Sequence, residues 1–323
     1  MTDPEHFRQA AIEAARPIVA PCCPVRETGG FGVMHGVMNP QDLARAAQGM
    51  SGISFEPQNY PSPPVPNAYA YIPLSGLNKD NPRHAPFWKE IEDLPHGGGF
   101  LLDGQGSRIG DPHGPGTFLV DFRKPEVRAI MRRYIQQLSA DGYRNFFFDA
   151  IDSVSLTEKN TQATGLAAAT VDFVAEEHAR IAARGGRSVV NGGLWDGAGD
   201  LTERLGRSGV SLALENQFMF NGERQSAGTN AWTSDRLAPY LRAAINSGFS
   251  PTVYFIEHAP ASRLAAERSA ASNWARNLLG SMNIDSNRPG EVTFGIYMTD
   301  QQHYRQLTPQ PAPSAQPEPT RSR

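Results

Sequence analysis

The chain has 323 residues and a formal net charge of −3, with 39% hydrophobic and 20% charged residues. That is enough apolar material for one large core and too little charge bias for a disordered chain. It leaves no electrostatic footprint for nucleic acid, and no apolar run reaches the roughly 18 residues that a membrane helix needs.

The first segment, Met1 to Gln9, lacks a basic stretch followed by an apolar one, so no signal peptide is expected. The chain reads as cytoplasmic as written, or as exported with its signal removed. Residues 5–16 have helical spacing (Phe7, Ala11, Ile12, Ala15), and Pro17 stops them. Pro21-Cys22-Cys23-Pro24 holds the only two cysteines. Neighbouring cysteines bridge poorly, so neither a disulfide framework nor a metal knuckle is expected. Residues 1–29 therefore read as an N-terminal tail, and residues 306–323, rich in proline, as a disordered end.

Between these tails, over residues 30–305, short apolar runs alternate with longer segments of helical period. Strands are expected at Phe31–Val37, Gly52–Phe55, Tyr69–Leu74, Asn145–Phe148, Ser188–Asn191, Ser211–Leu214, Thr252–Ile256 and Phe294–Tyr297. Phe118–Asp121 is a ninth apolar run, read as an extended stretch leading into a helix. Helices are expected at Gln41–Gly49, Phe87–Asp93, Pro125–Ala140, Leu166–Arg184, Leu201–Leu205, Ser234–Ser247 and Arg263–Leu279. The Pro125 helix is well marked, with proline in its first turn and Asp141-Gly142 at its end. The strands are nearly continuous apolar runs, as parallel strands covered by helices are. Eight such repeats predict a (β/α)₈ TIM barrel. An open nucleotide-binding sheet would carry a Gly-rich turn after its first strand, where this chain has His35-Gly36-Val37-Met38-Asn39-Pro40.

In such a barrel the chemistry sits at the C-terminal strand ends. Those ends carry Glu56, Asp149 with Asp152, Asn191, Glu215, Glu257 and Asp300, with His35 and His258 beside them. No lysine ends a strand, which argues against Schiff-base chemistry. A ring of acids with aromatics suits glycoside cleavage, in which one carboxyl group protonates the leaving oxygen and another attacks or activates water. Asp149 and Glu215 form the best catalytic pair, each closing a strongly apolar strand two strands apart. Burial beside other acids is expected to raise the pKa of one member of such a pair. Glu56, Tyr71, Asp152, Asn191, Trp195, Tyr254, Glu257 and Tyr297 are the candidate substrate-binding residues. Trp195 and Trp232 follow strand ends in glycine-rich and polar loops. Other roles compete. Asp121 suits a helix cap or a pair with Arg123 or Arg128, Asp152 suits a cap equally well, and Glu257 with His258 suits a solvated strand end. No cofactor is expected. A non-catalytic carbohydrate-binding barrel and a metal-dependent hydrolase or deacetylase stay open as alternatives.

The segments Phe118-Leu119-Val120-Asp121-Phe122-Arg123-Lys124-Pro125-Glu126-Val127-Arg128 and Asp141 to Asp152 resemble the endo-α-1,4-polygalactosaminidase family of glycoside hydrolases. That family shows an LD(I/F)R-x-PEVR helix start, then GFDG and a strand closing on DN-x-D. Tyr69–Ser75, Val189–Gly193 and Leu214-Glu215-Asn216 resemble its third, fifth and sixth strands. The resemblance spans residues 30–300 and is specific at 118–152. It implies a TIM-barrel hydrolase acting on an α-linked, amino-sugar-containing polysaccharide, with Asp149 and Glu215 as the catalytic pair and Asp149 as nucleophile. The chain departs from the pattern at Ala150, where the family has asparagine, at Asn145, and in the long loop Asp103–Gly116.

Overall fold

The computed structural model describes residues 23–300 and Leu307, apart from 96–97, 112–115, 152–153, 155–156, 159–162, 193–198, 221, 226, 283 and 285–289. The expected N-terminal helix, Cys22, Asp152, Trp195 and the proline-rich end lie outside the described residues.

Phe146, Phe147 and Phe148 are all buried, which a strand achieves only when both faces of its sheet are covered. They belong to a nine-stranded parallel sheet. Its strands are β1 (Val25–Thr28), β2 (Phe31–Met34), β3 (Gly52–Phe55), β4 (Ala68–Pro73), β7 (Asn145–Asp149), β8 (Ser188–Asn191), β9 (Ser211–Glu215), β12 (Thr252–His258) and β13 (Val292–Thr299). The hydrogen-bonded order is β1-β13-β12-β9-β8-β7-β4-β3-β2. The sheet curls, with helices as its crossovers. These are α1 (Pro40–Ala46), α2 (Ala85–Glu92), α3 (Pro125–Ala140), α4 (Leu166–Ala182), α5 (Gly199–Ser208), α6 (Ala227–Asn246) and α7 (Leu264–Ser281). The link from β3 to β4 carries prolines 61, 63, 64 and 66 instead of a helix.

Against the expected closed barrel, no ladder among the described residues joins β2 to β13. The edges are instead two consecutive strands. β1 pairs with β13 and β2 pairs with β3, with only Gly29-Gly30 between them. A Cβ at Gly30 would overlap the carbonyl of Ile296, and one at Gly295 would overlap that of Gly29. The missing side chains let this first segment lie directly against β13. Strand β1 went unrecognised in the sequence because it is short and carries Arg26 and Glu27. Glu27 is buried, and it accepts from Arg276 at 3.1 Å and Arg268 at 3.5 Å, tying β1 to α7.

The expected extended stretch at Phe118 contributes β6 (Thr117–Leu119), which pairs antiparallel with β5 (Gly76–Asn78) outside the main sheet. Isolated bridges Phe100–Val120, Leu102–Arg108 and Gly110–Phe118 fold the Asp103–Gly116 loop back on itself. A second small ribbon, β10 (Met219–Phe220) with β11 (Glu223–Arg224), follows β9. Trp232, expected in a loop, lies within α6.

Aromatic rings fill the inner face of the sheet. Phe31 packs at 5.0 Å from Tyr69, 5.2 Å from Phe147 and 5.2 Å from Tyr254, ring centre to ring centre. Burying each ring contributes about 1.5–3 kcal/mol. The Gly30→Ala substitution should cost about 1–3 kcal/mol by forcing the first segment off β13. Chemical denaturation reads this directly, and an unchanged midpoint would show that the glycine contact carries no load.

Candidate active site

The site follows from strand parity. Paired residues of parallel strands share a face, and residues two apart in a strand share it too. Phe147 pairs with Tyr71 and with Val189, Asn191 with Ala213, and Glu215 with Ile256. Tyr71, Asp149, Asn191 and Glu215 therefore rise from one face, at the C-terminal ends of four adjacent strands. The apolar residues beneath them fix the strands, and the polar residue comes where each strand meets solvent.

These side chains are joined by short hydrogen bonds. The Tyr71 hydroxyl donates to Asp149 Oδ2 at 2.6 Å. The Asn191 amide nitrogen, Nδ2, donates to Asp149 Oδ1 at 2.8 Å and to Glu215 Oε1 at 2.9 Å. One nitrogen thus touches both carboxylates, and their facing oxygens cannot be farther apart than those two bonds laid end to end. Burial, then the charges of Asp149 and Glu56, push the Tyr71 pKa well above its ordinary value, so Tyr71 keeps its proton and remains a donor.

At the ends of β2 and β3, His35 Nδ1 lies 2.8 Å from Glu56 Oε1. The His35 ring sits edge-on to Tyr71, 5.3 Å away. Burial pulls the His35 pKa down, but the hydrogen bond and charge of Glu56, followed by the charges of Asp149 and Glu215, hold it above its ordinary value. Of the candidates, the structure therefore brings together Glu56, Tyr71, Asp149, Asn191 and Glu215, and adds His35. His35 marked the end of the first strand in the sequence, but only its neighbours across the sheet assign it to the site.

Three candidates stand apart from this hydrogen-bonded cluster. Glu257 stands one residue past Ile256, the partner of Glu215, so its side chain takes the opposite face. It is fully buried and accepts the backbone N–H groups of Gln217 (3.0 Å), Phe218 (3.1 Å) and Met219 (2.9 Å). It anchors the turn after β9 and does not line a cleft. Tyr254 is buried in the ring layer against Phe31, with its hydroxyl hydrogen-bonded to Ser51 at the start of β3. Tyr297, in register with Ile256, is fully buried. Asp121 pairs with Arg123, whose Nε and Nη2 donate at 2.8 and 2.9 Å. Asp300 is exposed beyond β13.

The two residues after the carboxylates share a feature that the sequence did not reveal. Ala150 has φ 64° and Asn216 φ 56°, and they are the only non-glycine residues in the left-handed region among those described. Each turns the chain away directly behind its carboxylate. Asparagine tolerates that conformation, whereas alanine pays about 1–2 kcal/mol. Asn216 is further held by His258, Nδ1 to Oδ1 at 3.0 Å. A groove of about 610 Å³ lined by Pro63, Pro66, Arg144 and Asn145 lies at the opposite, N-terminal ends of β4 and β7, away from this chemistry. Among the described residues, no three His, Cys, Asp or Glu side chains converge as a metal site would require.

A curled parallel sheet with helical crossovers and polar residues at its C-terminal strand ends has the architecture of the barrel enzymes. The chain has the fold of the glycoside hydrolase domain of PelA from Pseudomonas aeruginosa, with a TM-score of 0.56 at 16% identity over 86% of this chain and 96% of that one. A variant of the same domain gives 0.57 at the same identity and coverage. Aspergillus fumigatus Ega3 in complex with galactosamine gives 0.48 at 13% identity, over 91% of this chain and 96% of that one. No protein-family model matches the sequence, and no curated relative does.

Burial pushes the Glu257 pKa up to about 8; the three amides oppose the rise and the charge of Glu215 adds to it. A raised carboxyl pKa gives stability that is complete below the unfolded value of 4.5 and is lost as pH climbs through about 8. The Glu257→Gln variant should lose about 1–3 kcal/mol, because its amide would face backbone donors. It should also lose the wild-type decline in melting temperature between pH 4.5 and 8, and parallel melting curves for the two proteins across that window would refute this. Ala150→Gly should raise stability by about 0.5–1 kcal/mol, the backbone relief exceeding the entropy of glycine. A lower urea midpoint would count against a strained turn.

Proposed function

We propose that this chain is a (β/α)₈ glycoside hydrolase that cleaves α-glycosidic bonds in an amino-sugar-containing polysaccharide with Asp149 and Glu215. The observation that carries this reading is the Asn191 amide bonded to both carboxylates. It limits the facing oxygens to under about 6 Å, which favours the closer carboxyl spacing of retaining enzymes, roughly 5–5.5 Å, over the roughly 6.5–9.5 Å of inverting ones. A non-catalytic barrel has no need to hold two acids this close.

Asp149 suits the nucleophile. Both its oxygens accept hydrogen bonds, from Tyr71 and Asn191, which hold the carboxyl group in one orientation. Glu215 then donates its proton to the glycosidic oxygen while Asp149 attacks the anomeric carbon, and the bond to the leaving sugar breaks. Glu215, now ionised, takes a proton from water, whose oxygen displaces Asp149 from the glycosyl carbon. The cycle consumes one water and returns both carboxyl groups to their starting forms. Three acids, Glu56, Asp149 and Glu215, gather at this end of the sheet beside His35, and that excess of acid favours a positively charged sugar such as an unacetylated amino sugar.

Incubation with amino-sugar polymers should release shorter chains, and NMR should record products of unchanged anomeric configuration. Asp149→Asn should cut turnover to below about one-thousandth. Near-normal activity of that variant, or inverted products, would overturn the assignment. Activity lost to a chelator would point instead to a metal-dependent hydrolase.

A further inference from the structure

His35 and Glu56 take no step in this reaction, yet they are built into the same cluster. Glu56 is 15% exposed and His35 33% exposed, so the pair is largely shielded and its attraction is weakly screened. The Asn59 side chain donates to the His35 carbonyl at 2.7 Å, fixing the backbone beneath the ring. The ring then leans on Tyr71, whose hydroxyl holds Asp149. The groups facing His35 are Glu56 from the end of β3, Tyr71 from β4, Asp149 from β7 and Glu215 from β9. Tyr71 keeps its proton, and the charges that raise the His35 pKa are those of acids.

We propose that His35, clamped by Glu56, is a resident cation of the site, a positioning residue whose charge acts on the Asp149–Glu215 pair across Tyr71. Two carboxyl groups this close titrate as a unit. A nearby imidazolium lowers the pH at which that unit gains its protons, and removing the charge raises it. Glu56 acts through His35, because its carboxylate favours the charged imidazole and fixes Nδ1 as the donor. The proposal deepens the hydrolase reading and rests on it for its kinetic consequence, though not for its electrostatic one.

The test has two arms on the full chain. In the first, histidine ring resonances are followed by NMR across pH, with His35→Gln identifying the signal. The wild-type midpoint should lie above 6.5. Glu56→Gln, Asp149→Asn and Glu215→Gln should each lower it, since each removes a negative neighbour. A midpoint that stays put in all three variants overturns the proposal. In the second arm, the pH profile of kcat/KM is measured on an amino-sugar polymer. His35→Gln should move both limbs to higher pH by roughly 0.5–1 unit. Glu56→Gln should move them in the same direction, and the double variant no further. A profile that drops in height with its limbs unmoved marks a merely structural role and also overturns it. If no polymer is cleaved, the hydrolase reading fails, and the titration arm still decides whether His35 is coupled to the acids.

Discussion

Two carboxyl groups within about 6 Å would repel each other if both were ionised, by on the order of 3 kcal/mol at an effective dielectric near 20. The rest of the site is arranged around that repulsion. Asn191 places one N–H donor group between Asp149 and Glu215, Tyr71 supplies a second donor to Asp149, and His35 with Glu56 stands on the far side of Tyr71. The acids are held close by strands whose positions are set elsewhere, in the aromatic layer of Phe31, Tyr69, Phe147 and Tyr254. Packing fixes the backbone, and the backbone imposes a charge arrangement that free side chains would avoid.

The turns behind the carboxylates serve the same end. A strand that continued past Asp149 or Glu215 would cover the acid with its own next residues. Left-handed backbone at Ala150 and Asn216 takes the chain away at once. On the Glu215 side the turn is secured by the buried carboxyl group of Glu257, which gathers three consecutive N–H groups, and by the Gln225 side chain on the carbonyl of Asn216. Arg224 links the following ribbon to Glu267 of α7. On the Asp149 side, Leu74 donates to the Asp149 carbonyl at 3.0 Å, binding that turn to the end of β4.

Much of this was written in the order of residues. Continuous apolar runs such as Phe146–Phe148 and Val253–Ile256 specify parallel strands, because a strand covered on both faces needs apolar residues at every position. Helical spacing and the proline and glycine signals placed α3 and α4 within a residue or two of their ends. The acid that closes an apolar run is a local pattern, so Asp149, Glu215 and Glu56 were legible as strand ends. The resemblance at 118–152 pointed to the same architecture and the same pair.

Only the tertiary structure decided which strand-end residues face one another. Face alternates along each strand, but the register between strands is set by packing across the whole sheet, and no local pattern encodes it. That register aligns Ile256, and not Glu257, with Glu215, and so sends Glu257 outward to a structural task. It keeps Tyr254 in the ring layer while lifting Tyr71 to Asp149. It also brings His35, from β2 at one edge of the sheet, against Tyr71, the donor to Asp149. The sequence determined the elements and the kind of chemistry their ends can carry. The curl of the sheet, with Gly29-Gly30 between its two edge strands, determined which of those ends form one site.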